Sequence, residues 1–328
     1  MKLSEKIIQV LKKQGDTSVS ELTSQLEVSK QFIHTVLLKL IEEKKITKFG
    51  RSPKTIYRLA EPLDSDNYSD KIVLTSSEKA YLDHSFMLIS EAGEIFKGQE
   101  ALTIWCKQRK LPLEKSYHEF LITKKKYEKY YDELGLINSL EKLKSTQGIG
   151  KLALNDVYYV DFYAIERFGK TRIGTLLHFA KQGQSKSLMK IIVDEIRPRL
   201  EAFIKKNSFD AIAFVPPTIR RELQIMKYLE THLKINLPIV KIEKISGLIP
   251  VPQKSLSKLE ERINNAKNTF AVKFSSQYKN LLLIDDALGS GTTLNEIAAK
   301  IKQKKIAGRV TGFAIVGSLK GFDVISDM

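Results

Sequence analysis

Cysteine is almost absent from this chain: Cys106 is the single one among 328 residues, which excludes an internal disulfide and a multi-cysteine zinc knuckle. Histidine is scarce as well, and His34, His84, His118, His178 and His232 lie too far apart for a local metal motif. No long apolar run occurs, so no membrane span and no membrane partner are expected. The opening Met1-Lys2-Leu3-Ser4-Glu5-Lys6 leads into an amphipathic segment rather than the apolar core of a signal peptide, and the expected location is cytoplasmic. Acid is in deficit, with 38 Asp and Glu against 54 Lys and Arg, a formal charge of +16. That balance suits a polyanionic partner, nucleic acid first, whose attraction is long-ranged and salt-sensitive; an anionic substrate or simple solubility fits the charge equally well.

The most informative stretch is Leu281-Leu282-Leu283-Ile284-Asp285-Asp286-Ala287-Leu288-Gly289-Ser290-Gly291-Thr292-Thr293. Four branched apolar residues read as a parallel strand covered on both faces, and ligands gather beyond the carboxyl ends of such strands. The acids are expected at that end, where ionised Asp285 and Asp286 accept hydrogen bonds from a ribose diol. Gly289 and Gly291 admit backbone amides close to a phosphate, Ser290, Thr292 and Thr293 add hydroxyls, and a helix starting near Leu294 turns its positive end to the anion. No Gly-Lys-Ser/Thr follows at the spacing a P-loop needs. The order of strand, acid pair, loop and helix resembles the signature of type I phosphoribosyltransferases. That resemblance implies binding of phosphoribosyl pyrophosphate (PRPP), with Asp285 and Asp286 reaching Mg²⁺ only indirectly, through Mg-PRPP.

Residues 1 to 60 carry a second pattern. An amphipathic helix sets Ile7, Ile8, Val10 and Leu11 near one face, Ser20 is placed to cap a short helix with Leu22 and Leu26, and Ser29 to cap a longer one. In that third helix Phe32, Ile33, Val36, Leu37, Leu40 and Ile41 supply the buried stripe. Short strands at Ile46 to Phe49 and Thr55 to Leu59 then flank a basic hairpin, a wing. The stretch resembles bacterial winged helix-turn-helix domains, which implies DNA binding: Ser29, Lys30, Gln31, His34 and Thr35 face the major groove, while Lys44, Lys45, Lys48, Arg51 and Lys54 meet phosphate or a minor groove. Glu27 stands where many relatives carry a turn glycine. Twelve basic residues against six acidic ones over these positions lean toward nucleic acid, and protein contact is the other reading.

After Glu61 the charge reverses and periodicity stops, marking a linker; residues 61–150 form a linker and mainly helical middle region, clearest at Ala101 to Arg109 and Tyr117 to Leu134. Lys124-Lys125-Lys126-Tyr127-Glu128-Lys129-Tyr130-Tyr131 reads either as a solvated helix face with inward tyrosines or as a nucleic-acid contact, and Trp105 reads as core. From residue 151 to 328, helices at Met189 to Ile204 and Leu223 to Leu233 alternate with strands at Ala211 to Val215, Pro238 to Ile242, Leu281 to Ile284 and Val310 to Val316, implying a parallel α/β sheet. The overall expectation is therefore a multidomain α/β chain. Val215, Pro216, Pro217 and Thr218 turn tightly after the first of these strands, and Arg220 and Arg221 are either pyrophosphate ligands with a planar fork or exposed first-turn residues.

Here the likeness narrows to the ComF-type, competence-associated branch. It rests on Val215-Pro216, Arg220, Arg221, Gln224, Pro252-Gln253-Lys254-Ser255-Leu256, Glu261-Arg262, Asn264, Phe270 and the Asp285 to Thr293 loop. The resemblance implies a flap at Ser246 to Ala266 that closes over PRPP; an exposed loop and helix is the alternative. Two departures stand out: the zinc segment of many such proteins is missing, and Gly289 replaces the acid that polarises a nucleobase in several relatives. The implied roles are ribosyl chemistry, a PRPP-sensing regulator similar in domain order to the Gram-positive purine repressor, a competence factor, or a nucleotide-depleting effector of a retron partnered by a reverse transcriptase. A homo-oligomer is a further possibility of this architecture.

Overall fold

A computed structural model describes residues 2–43, 45–51, 54–60, 72–146, 151–217, 221–245, 268–273 and 276–318. The expected linker after Glu61, the flap at Ser246 to Ala266, and Thr218 and Arg220 lie outside the described residues. The chain divides into two compact units, Met1–Asp70 and Lys71–Met328. Among the described residues no helix is long and apolar enough to cross a membrane.

The first unit runs α1 (Leu3–Gln14), β1 (Thr17–Ser18), α2 (Val19–Leu26), α3 (Lys30–Glu42), β2 (Ile46–Arg51) and β3 (Lys54–Leu59), with an antiparallel sheet in the order β1-β3-β2. Ile7, Leu11, Leu22, Ile33, Leu37, Leu40 and Tyr57 close its core. Ser18, not Ser20, caps α2: Glu21 N–H donates to Ser18 Oγ at 3.3 Å, and Ser18 N–H donates back to Glu21 Oε2 at 2.6 Å. Reciprocal satisfaction of two end donors outweighs the hydroxyl of Ser20, which bonds Ser18 Oγ instead. Ser29 caps α3 as expected, through Phe32 N–H. Phe32 itself, assigned to the buried stripe, is 54% exposed. The buried arc centres on Ile33, Leu37 and Leu40, and Phe32 lies about 100° away from Ile33 around the helix. Arg58 in β3 forks onto both carboxylate oxygens of Asp16, at 2.5 and 2.7 Å, tying the hairpin to the turn after α1.

The turn between α2 and α3 is made without glycine by holding Glu27 at φ 52°, a left-handed conformation that L side chains adopt at a cost of about 1 kcal/mol. Because Glu27 is exposed, Glu27→Gly removes that cost without opening a cavity. Hydrogen exchange of the α2 and α3 amides should slow by a factor of about 2 to 5; faster exchange would show that the Glu27 side chain holds the turn.

The second unit begins with α4 (Ser76–Ser85), the hairpin β4 (Met87–Ile89) and β5 (Ile95–Lys97), α5 (Gly98–Gln108), α6 (Leu113–Glu128), β6 (Ile137–Asn138) and α7 (Leu140–Ser145). It continues through β7 (Asp156–Phe162), the short pair β8 (Ala164–Ile165) and β9 (Gly169–Lys170), α8 (Arg172–Gln182), α9 (Lys186–Asn207), β10 (Ala211–Phe214) and α10 (Ile225–His232). The hairpin β11 (Ile242–Lys244) and β12 (Phe270–Val272), then β13 (Tyr278–Leu288), α11 (Thr292–Gln303) and β14 (Ala307–Gly317) complete it. The molecule is thus mixed α/β, and its main sheet has five strands in the order β10-β13-β14-β7-β6. β10, β13, β14 and β7 are parallel, and β6 is antiparallel to β7.

Side-chain alternation divides this sheet between two cores. Leu281 and Leu283 pack with Trp105, Phe120 and Leu294, whereas Leu282 and Ile284 pack with Leu176, Ile196 and Leu229. The helices at 76–145 therefore share a core with α11. The expected helices extend or shrink at their ends: Met189 to Ile204 grows to Lys186–Asn207 and carries Pro198, while Tyr117 to Leu134 stops at Glu128. Pro238 to Ile242 is no sheet strand; only Ile239 bridges Ile212, and β11 starts at Ile242.

Candidate functional site

β13 is the pivot of the site. β10 runs beside it only as far as the pair Phe214–Ile284, with Val215 N–H donating to the Ile284 carbonyl at 2.8 Å. β14 stays paired through Leu288. Asp285 and Asp286 consequently lie within the strand, not after it as expected, but in the part that β10 no longer covers. Both residues are partly buried there. The connections of these two neighbours also diverge. After β10 the chain turns outward, where Ile239 lies parallel to Ile212, and after β13 it crosses through α11 to β14 on the opposite side. Adjacent parallel strands with diverging exits leave a crevice at their carboxyl ends.

One wall of the crevice is the turn after β10. Val215 is buried and Pro216 and Pro217 are partly buried. Arg221, expected to hold a phosphate, is engaged elsewhere: its guanidinium donates to the Lys181 carbonyl at 2.7 Å and to Gln182 Oε1 at 3.2 Å. It caps the last turn of α8, where a cation meets the negative end of the helix. The cation at the acid pair is Lys181, whose Nζ donates to Asp286 Oδ2 at 2.9 Å, each side chain 19% exposed. Asp286 N–H donates in turn to Asp285 Oδ1 at 2.8 Å. Nothing in the sequence marked Lys181, because it sits 105 residues before its partner on a helix without a motif.

The other wall is the loop Gly289–Gly291 and the start of α11. Gly291 is the N-cap at φ 75°, and a Cβ there would run into Leu143 Cδ1, so glycine is required twice over. The hydroxyls of Ser290 and Thr292 bond each other at 2.9 Å, with Thr292 buried and Thr293 partly buried. The first turn of α11 contains no acid; Thr292 N–H donates to Ser290 Oγ at 3.4 Å, and the next amides of the turn, at Thr293 and Leu294, are those that point to an anion. Asn295 accepts Ala153 N–H at 2.7 Å and so fastens the segment before β7 to this helix.

Among the described residues no group of three or more His, Cys, Asp or Glu side chains is arranged to hold a metal. Two adjacent carboxylates, one of them paired with Lys181, do not make a metal cage, so divalent metal fits here only as part of a diphosphate ligand. In the first unit, Lys30, Gln31, His34 and Thr35 are exposed along the outer side of α3, and Lys48 is exposed on β2. Arg51 and Lys54 pair across the hairpin end, and their side chains lie outside the described residues. No protein-family model matches the chain, and a search of curated proteins returns no match.

Lys142, one residue before the Leu143 that backs Gly291, carries a buried ammonium with no hydrogen-bond partner among the described residues. Burial pulls its pKa down to about 8. Between that value and the ordinary lysine range the unfolded chain binds more protons than the folded one, so this lysine's destabilisation is full below pH 8 and fades as pH rises. Lys142→Met should raise the thermal unfolding midpoint at pH 7, and the gain should shrink by pH 10. A gain independent of pH would assign the effect to packing alone.

Proposed function

We propose that this is a DNA-binding protein whose second unit binds PRPP or a related ribosyl nucleotide in the crevice between β10 and β13. The observation that carries the proposal is the position of Asp285 and Asp286 in β13 just past the last β10 pair, with the Gly289 to Thr293 loop beside them. This arrangement supports the type I phosphoribosyltransferase likeness, because strand, acids, glycine loop and helix converge on one crevice. In this reading the carboxylates accept the ribose hydroxyls, and the α11 amides with Thr293 hold the 5-phosphate. Pro216 and Pro217 shape the wall that faces the diphosphate, and Thr218 and Arg220 follow them in the sequence. Mg²⁺ carried by that diphosphate would neutralise it when bound. Lys181 fixes the orientation of the Asp286 carboxylate through its 2.9 Å hydrogen bond to Oδ2.

Ribosyl transfer or hydrolysis in this site breaks the bond from C1 to diphosphate or to a base, the electron pair leaving on that group while C1 bonds to the acceptor nucleophile or to a water oxygen, whose proton is lost. The carboxylates stand by the sugar as positive charge develops at C1. A non-catalytic sensor is the second reading, favoured by Gly289 in place of an acid and by Arg221 being occupied at the end of α8. The winged unit supports the DNA half of the proposal through its exposed Lys30, Gln31, His34, Thr35 and Lys48.

Asp285→Asn combined with Asp286→Asn removes two charge-assisted acceptors and should weaken Mg-PRPP binding by at least about a hundredfold in calorimetry. Unchanged affinity would remove the proposal. Incubating the wild type with labelled PRPP, nucleotides or NAD, with and without DNA, separates enzyme from sensor by whether a ribosyl bond is broken. For the winged unit, Lys30→Ala with Lys48→Ala should lower the log-log salt slope of DNA binding by about one per lost phosphate contact; an unchanged slope would reassign this face to protein.

A further inference from the structure

The first unit carries two apolar side chains that its own core does not use. Phe32 and Leu38 are 54% and 62% exposed, and among the described residues of this unit they are the large apolar side chains left in solvent. Both lie on α3, whose buried side is complete with Ile33, Leu37 and Leu40. Helical spacing puts Gln31, Thr35 and Leu38 on one row and Phe32, Thr35 and Lys39 on the next, so the two apolar groups interrupt an otherwise polar surface about 9 Å apart along the axis. Every residue of these two rows is exposed, as is His34 beside them.

The chemistry of this surface selects its occupant. From Lys30 to Ile41 the helix has no acid, and exposed Lys30, Lys39, Lys45 and Lys48 surround it, a charge arrangement complementary to a polyanion. Gln31, His34 and Thr35 offer hydrogen bonds of both senses. The major groove of duplex DNA presents base edges with donors and acceptors together with one apolar group, the C5 methyl of thymine. We infer that Phe32 and Leu38 contact thymine methyl groups, so that the winged unit selects duplexes carrying thymine at those positions. This inference rests on the proposed DNA binding and specifies which feature of DNA is read.

The test exchanges thymine for uracil, which keeps every hydrogen-bonding edge and every phosphate and lacks only the methyl. Full-length protein enriches a randomised duplex pool, and the enriched duplexes are resynthesised with deoxyuridine throughout. Affinity should fall by about fourfold for each contacted methyl, and so by more than tenfold for two. Phe32→Ala with Leu38→Ala, both at exposed positions, should bind thymine and uracil duplexes equally and retain the wild-type salt slope. Specific binding with equal affinity for the two duplexes overturns the inference and leaves DNA binding standing. Failure to bind any duplex at low salt removes the DNA reading, and the inference with it. A wild-type dimer that the double variant dissociates, with no thymine preference, would assign the pair to a second copy of the chain instead.

Discussion

A parallel strand paired along both edges and covered on both faces has no room for charge, and the site in this molecule follows from the place where that enclosure fails. β13 is enclosed as far as Ile284, where its register with β10 ends. Two residues later Asp286 pairs with Lys181, and Asp285 accepts the Asp286 amide. The early end of β10 therefore does more than shape a crevice. It lets carboxylates occupy a central strand that would otherwise exclude them.

The surrounding elements hold that geometry from several directions. Arg221 fastens the turn after β10 to the end of α8, and α8 supplies Lys181 to Asp286. On the far side Leu143 backs Gly291, so α7 presses against the loop that begins α11. Residues before 150, which share a core with α11, thereby help to shape the site. The last turn of α8 thus serves both neighbours, its Lys181 side chain meeting Asp286 and its Lys181 carbonyl accepting from Arg221.

Much of this was legible in the sequence and some was not, for identifiable reasons. Leu281 to Thr293 could be read because a buried strand, an acid pair and a glycine loop are each local signals. The same holds for α3, whose cap Ser29 and buried Ile33, Leu37 and Leu40 lie within a few turns. Lys181 and the contacts of Arg221 with the end of α8 were hidden because tertiary closure joins residues far apart in the chain. β7 escaped notice because its aspartates and tyrosines break the apolar run that marked β13, and its burial depends on β14 and on the core formed by α5 and α6. Phe32 was misplaced because it stands four residues before Val36 and eight before Leu40, a helical spacing that admits the edge of a stripe to its interior.

The central claim is that Asp285 and Asp286 accept the hydroxyls of a ribose held in the β10–β13 crevice. Calorimetric comparison of PRPP with its 2-deoxy analogue tests it most directly, since the two ligands differ by one hydroxyl and share phosphate, diphosphate and metal. The account requires the deoxy ligand to bind about tenfold more weakly or worse, the loss of one hydrogen bond to a charged acceptor. Equal affinities would contradict it.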